Sequence, residues 1–233
     1  MNAIITGGTK GIGRATVNIF AANGIHMSIC SRNQQDLERL QTEILEKHPN
    51  ITIHIKQVDV SNKQELLKYA EEATTALGNV DILINNAGIF IPGQIHEEES
   101  GVLERTLDVN LLSVYHLTRA ILLGMILRKK GHIVNMCSIA SVTAYPNGGS
   151  YSISKFALLG FSRCLREELK YKGIKVTSIL PGATWSASWD GLDQPVTRLM
   201  QPDDIAKVIF NAVTLGESAT LEEVIIRPQL GDL

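Results

Sequence analysis

Apolar residues recur along the chain in two alternating rhythms. Short runs dense in Ile, Val and Leu predict strands at 3–6, 26–30, 51–58, 80–85, 133–137, 175–180 and 224–227. Between them, apolar positions that return every three or four residues predict helices at about 11–23, 35–47, 63–77, 103–127, 151–171 and 203–215. Gly24, Gly78 and Gly173 stand just past three of those helices, where a left-handed closing residue belongs. Strand-helix-strand repeats need crossover connections, which give a parallel sheet covered by helices on both faces. The expected architecture is one α/β domain over residues 1–233, a doubly wound sheet of seven parallel strands. Ligands of such sheets bind beyond the carboxyl ends of the strands, so residues just after each strand are the functional candidates.

Composition narrows the function classes. With 22 basic against 24 acidic residues, the net charge of −2 supplies no general attraction to nucleic acid or to an anionic membrane. The 44% hydrophobic, 20% charged balance is that of an ordinary globular protein. Cys30, Cys137 and Cys164 are widely separated and set among apolar residues, which argues against a disulfide framework or a metal half-site and for a reducing, cytoplasmic compartment. The opening Met1-Asn2-Ala3-Ile4-Ile5 lacks the basic region and long apolar run of an export signal. The longest apolar stretch, 120–127, contains Gly124 and stops at Arg128, short of the roughly 20 residues of a membrane span.

The most informative segment follows the first strand: Thr6-Gly7-Gly8-Thr9-Lys10-Gly11-Ile12-Gly13, with a helix starting inside it. Gly7 permits a tight turn, Gly11 lets backbone approach a pyrophosphate, and Gly13 allows close helix-strand packing, while the helix N-terminus faces an anion. Strand, loop and helix agree on a dinucleotide site of Rossmann type, with Gly7, Thr9, Lys10, Gly11, Ile12 and Gly13 as its loop. An adenosine ribose with a free 2′-hydroxyl is usually held by an acidic residue at the end of the second strand. Ser31-Arg32 stands there instead. A guanidinium pairs with a 2′-phosphate that a carboxylate would repel, and Lys10 and Arg14 could add charge, so NADP(H) is favoured over NAD.

The spacing T-G-x-x-x-G-x-G, followed by Asp59-Val60, Asn85-Asn86-Ala87-Gly88 and Pro181-Gly182 at successive strand ends, resembles the short-chain dehydrogenase/reductase family, including its 3-oxoacyl-carrier-protein reductase-like and sepiapterin reductase-like members. The resemblance implies that Asp59 and Val60 contact adenine, that Asn86, Ala87 and Gly88 line the ribose side, and that Pro181 and Gly182 support the nicotinamide, with Thr184 or Ser186 bonding its carboxamide.

Tyr151 and Lys155, four residues apart on a predicted helix, share one face. A free phenol with pKa near 10 works around pH 7 only after a shift of about three units, roughly 4 kcal/mol, toward which the Lys155 ammonium and an oxidised nicotinamide both contribute positive charge. The Ser138 hydroxyl, ending the fifth strand, can hydrogen-bond a substrate oxygen. In the family this Ser, Tyr and Lys, with an Asn in the preceding long helix, form a tetrad. Asn110 matches that Asn, and the resemblance gives its side chain a water that links Lys155 to solvent; a helix kink or a buried polar bridge is the structural reading, and the two roles can coexist. Tyr151 and Lys155 would also hold the cofactor.

These residues imply an NADPH-dependent reductase of a small carbonyl compound, a 3-oxoacyl thioester or another hydrophobic ketone, with no metal. A catalytically silent NADP(H) redox sensor is the alternative. Trp185, Trp189, Phe90, Ile91 and Tyr145 would give an apolar pocket. The tail Ile225-Ile226-Arg227-Pro228-Gln229-Leu230-Gly231-Asp232-Leu233 departs from the glycine-rich ending of 3-oxoacyl reductases. Basic residues Arg128, Lys129, Lys130, Lys170, Lys172 and Lys175 raise an acyl carrier protein as partner, though helix dipoles alone favour cations there. The apolar faces of the 103–127 and 151–171 helices, with Leu111, Leu112, Val114, Leu117, Ile121, Phe156, Leu159 and Phe161, imply a homodimer or a tetramer of dimers.

Overall fold

The computed structural model describes residues 1–185 and 198–232. In chain order the elements are β1 (Asn2–Thr6), α1 (Gly11–Ala22), β2 (His26–Ser31), α2 (Gln34–Lys47), β3 (Ile53–Gln57), α3 (Lys63–Leu77), β4 (Ile82–Asn85), α4 (Val102–Leu107), α5 (Ser113–Arg128), β5 (Gly131–Met136), α6 (Gly149–Leu169), β6 (Ile174–Pro181), α7 (Pro202–Thr214) and β7 (Glu223–Ile226). A π-turn, Asp108–Leu112, joins α4 to α5, so that Val102–Arg128 is one helical run. The strands form one parallel sheet in the order β3-β2-β1-β4-β5-β6-β7. The order reverses between β1 and β4, and the loops that leave these two strands in opposite directions open the crevice expected of a doubly wound sheet.

The alternation within each strand builds both layers. Ala3 and Ile5 of β1, Ile82 and Ile84 of β4, and Val134 and Met136 of β5 point into the layer of α1, α2 and α7. Ile4, Leu83 and Ile133 point the other way, against α3, α5 and α6. Phe20 of α1 meets Phe210 of α7 edge-on at 6.2 Å, closing the first layer. Val102–Arg128 is long and apolar enough to cross a membrane, yet Leu117, Ile121 and Met125 sit in the second layer as core. Asn33 and Asn62 cap α2 and α3 by accepting the N–H groups of Asp36 and of Gln64 and Glu65. Gly24, Gly78 and Gly173 take positive φ, as the sequence predicts.

Several expectations change. The third and fourth strands begin later, at Ile53 and Ile82, and α6 begins earlier, at Gly149. Cys30 and Cys137 are buried, but Cys164 lies exposed on α6, because the apolar neighbours beside it in sequence occupy a different face of the helix. Of the apolar residues assigned to a subunit face, Val114, Leu117, Ile121 and Leu159 are core, while Leu112 and Phe156 are exposed, together with Leu123, Leu127 and Ile153.

His132, buried between β5 and β6, hydrogen-bonds Thr177 Oγ1 at 2.7 Å, and burial together with the Lys175 charge brings its pKa down from 6.5 to about 4. As pH falls below 6.5 the unfolded chain takes up a proton that the folded chain refuses until about pH 4. Stability should therefore fall across that window, by roughly 3 kcal/mol from this ring. Urea midpoints against pH check it: His132→Asn should flatten the acid limb, and equal losses in parent and variant would refute this origin.

Candidate active site

The glycine loop is held from β4. Asn86 Nδ2 donates to the carbonyls of Thr6 at 2.9 Å and Gly7 at 3.0 Å, while Thr6 Oγ1 accepts the N–H groups of Asn86 and Ala87, both at 3.0 Å. Gly7 turns at φ +67. A Cβ on Gly13 would lie 2.2 Å from Gly7 O, so only glycine brings α1 this close to the turn. At Gly11, with φ +52, the space ahead is open. Lys10 precedes α1 in extended conformation and its side chain makes no cap, which leaves the positive end of the helix facing that space. This is a cradle for a diphosphate.

The remaining cofactor candidates line the same edge. Thr9 and Ile12 are half-buried, and Ser31 Oγ donates to Asn33 O at 3.3 Å. Arg32 is exposed, and its guanidinium has no partner among the described residues, only its carbonyl being engaged by Gln57 Nε2 at 3.0 Å. Lys10 reaches Asp36 at 3.5 Å. Arg14 differs from expectation: it turns away to Glu43 at 2.5 Å and to Asn18 at 3.2 Å, because helical geometry carries its side chain toward α2. Asp59 is exposed and turns onto Ser61, whose N–H and hydroxyl it accepts at 3.0 and 2.7 Å, and Val60 is buried. Asn86 belongs to the loop's scaffold, its amide being committed to Thr6 and Gly7.

Ser138, Tyr151 and Lys155 converge where β5 ends and α6 begins. Ser138 Oγ accepts the N–H of Ala140 at 3.1 Å, which fixes the oxygen and leaves its proton to donate. Lys155, 6% exposed, sends Nζ to Met136 O at 2.7 Å and stands 5.7 Å from the centre of the Tyr151 ring. A Cβ on Gly88 would lie 3.2 Å from Asn110 Oδ1 and 3.7 Å from Lys155 Nζ, so glycine leaves this corner open. Phe90 packs edge-on against Tyr151 at 5.0 Å.

Burial dominates the electrostatics of this pair. Burial raises the Tyr151 phenol above 10, with the Ser138 hydrogen bond pulling it partly back. Lys155 is shifted as well: burial lowers its own pKa from 10.5 to about 8, opposed by Cys137. Asn110 makes the buried polar bridge. In the π-turn its Oδ1 accepts Ile89 N–H at 2.8 Å, and Nδ2 donates to Ile89 O at 2.9 Å and to Ser154 Oγ at 3.0 Å. The side chain thus bridges the loop after β4 to α6.

Residues invisible to motif reading complete the frame. Glu98 caps α6 from a distant loop: one carboxylate oxygen accepts Ser150 N–H at 2.8 Å and the other the Ser150 hydroxyl. Asp232 accepts Ala183 N–H at 3.0 Å. Gly182 N–H reaches Ile226 O at 2.8 Å, and Thr184, buried, turns its hydroxyl to Gly182 O at 3.0 Å. Trp185 is half-buried and pairs through its N–H with Met200 O at 2.8 Å, whereas Ser186 and Trp189 lie outside the described residues. The basic helix ends precede β5 and β6, at the sheet edge opposite Ser138, where Arg128 binds Val80 O, Lys170 pairs with Glu167, and Lys175 binds Gly216 O.

The family model for short chain dehydrogenase matches residues 1–195. The chain belongs to that family. It is 30% identical over 236 residues to an uncharacterized oxidoreductase of Staphylococcus saprophyticus, spanning 97% of this chain and 94% of the relative. A metagenomic short-chain oxidoreductase solved in complex with NADP superposes with TM-score 0.86 at 28% identity, covering 98% of this chain and 97% of that one. Serine dehydrogenase from Escherichia coli superposes with TM-score 0.88 at 27% identity over 100% of both chains.

Lys155 in this dehydrogenase is a buried cation without a carboxylate partner among the described residues. A fall in pKa from 10.5 to about 8 corresponds to roughly 3 kcal/mol against folding below pH 8, relieved as pH rises toward the unfolded value. Lys155→Met removes that penalty and forfeits the bond to Met136 O, worth about 1 to 2 kcal/mol. The variant should be more stable than the parent by about 1 kcal/mol at neutral pH while losing activity. Thermal unfolding near pH 7 reads the sign, and a variant less stable than the parent contradicts the argument.

Proposed function

We propose that the protein is an NADP(H)-dependent carbonyl reductase that converts a small hydrophobic ketone, 3-oxoacyl compounds included, to the alcohol. One observation carries the reading: the Tyr151 phenol, kept protonated by burial, contacts the Ser138 hydroxyl at the same strand edge as the uncapped glycine cradle. The cradle fits a diphosphate, and the free Arg32 guanidinium fits a 2′-phosphate. The NADP bound by the metagenomic relative supports that choice.

When bound, reduced nicotinamide supplies a hydride for the carbonyl carbon. Ser138 donates a hydrogen bond to the carbonyl oxygen, and Tyr151 gives that oxygen its proton as the new C–H bond forms. The Lys155 ammonium, beside the ring, stabilises the phenolate left behind. Asn110 and Glu98 hold the two loops and the first turn of α6, which keeps Tyr151 and Ser138 in reach of one oxygen. Phe90 and Tyr145, both partly exposed, supply apolar walls. A carrier protein docked on the basic helix ends would sit at the far edge of the sheet, so a free compound is the simpler substrate. The exposed Leu112, Leu123, Leu127, Ile153 and Phe156 on α5 and α6 supply a face for a homodimer, alone or within a tetramer.

Steady-state reduction of a carbonyl panel, with NADPH binding followed by fluorescence, tests the mechanism. Tyr151→Phe should bind NADPH as the parent does and lose at least about a hundredfold in turnover. Arg32→Ala should narrow the preference for NADPH over NADH. Unchanged turnover in Tyr151→Phe would remove the proton donor, and NADPH binding without reduction of any panel member would favour a redox sensor. Light scattering should show a dimer or larger at micromolar concentration; a monomer excludes the assembly.

A further inference from the structure

The tail, where the sequence leaves the family pattern, has a defined task in the fold. After β7 the chain turns at Pro228, whose carbonyl accepts Gly231 N–H at 2.8 Å, with Gly231 at φ +81. The turn brings Asp232 to the carboxyl end of β6. The last ladder bond there runs from Gly182 N–H to Ile226 O, and a separate short pairing joins Thr184 to Met200. Ala183 N–H falls between the two. Asp232 Oδ1 accepts it at 3.0 Å and lies 2.0 Å from where a Cβ on Gly182 would stand, so the carboxylate uses space that only glycine leaves.

Two arginines brace this carboxylate and its turn. Arg227 Nε donates to Asp232 Oδ2 at 2.6 Å. Arg198 donates to the carbonyls of Gly231 at 2.7 Å, Asp232 at 3.3 Å and Leu230 at 3.5 Å. The charge of this carboxylate is felt on the catalytic side: the Tyr145 phenol is pushed up to about 12, first by burial and then by Tyr151 and Asp232. The tail therefore clasps the carboxyl end of β6, the end of the sheet that carries the site.

We propose that Asp232, braced by Arg227 and Arg198, is a positioning residue for the nicotinamide end of the cofactor site, holding the backbone from Pro181 to Thr184 in its binding shape. The inference rests on the NADP(H) reading above. A clasp at this end acts on the nicotinamide half alone, so it separates the two halves of the cofactor: Asp232→Ala should weaken NADPH binding about tenfold, as expected for a lost charge-assisted hydrogen bond. Affinity for 2′,5′-ADP, which lacks the nicotinamide half, should not change. Amide exchange at Ala183 in the cofactor-free protein should speed up, with the glycine loop unaffected. Asp232→Asn, whose amide oxygen can still accept the Ala183 N–H, should recover most of both effects.

Parent-like NADPH affinity and parent-like exchange in Asp232→Ala would overturn the proposal. So would equal weakening of NADPH and 2′,5′-ADP, which marks a general loss of structure. A parent that binds neither ligand refutes the cofactor reading itself, and faster Ala183 exchange in Asp232→Ala would still show the clasp.

Discussion

The side-chain amide of Asn86 joins the ends of two strands that are neighbours in the sheet but 80 residues apart in the chain. Its two bonds to the carbonyls of Thr6 and Gly7 fix the turn out of β1 against the turn out of β4. The glycine requirements follow from this contact. With Gly7 O held inward, a Cβ on Gly13 would collide with Gly7 O at 2.2 Å and with Asn86 Nδ2 at 2.5 Å. The start of α1 is then tied to the sheet with its N–H groups facing outward, and the cradle exists before any ligand arrives.

On the other side of the crevice, burial shifts the groups of the proposed catalytic site. Lys155 is drawn to the end of β5 by the Met136 carbonyl, and among the described residues no carboxylate offsets its desolvation. Tyr151 is held protonated by the same burial, the state from which a phenol donates. A site arranged in this way disfavours folding at its own position, and the surrounding frame compensates: the Glu98 cap on α6, the Asn110 bridge to Ile89 and the buried Asn85–Asn135 pair between β4 and β5. Under the proposed mechanism, stability and reactivity pull in opposite directions at these residues.

Much of the fold was legible because its determinants are local. Strands buried on both faces read as apolar runs, helices as periodic stretches, and Gly24, Gly78 and Gly173 as helix ends. The glycine loop and the Tyr151–Lys155 spacing were legible for the same reason, since turn geometry and helix pitch act over a few residues. Strand limits at Ile53 and Ile82 were not, because where a strand begins depends on when its neighbour offers a partner.

By itself, the sequence determined the order of elements, the parallel sheet, the position of the glycine turn and the identity of the groups that meet in the crevice. Tertiary structure alone decided what those groups do to one another. Arg14 left the loop for Glu43, Cys164 faced outward, and burial lowered the pKa of Lys155. Glu98 reached Ser150 across 52 residues, and Asp232 reached Ala183 across 49. The physical reason is the same in each case: backbone preference is written in neighbouring residues, whereas desolvation and hydrogen-bond partnership depend on which distant segments the packed sheet brings within 3 Å or so of each other.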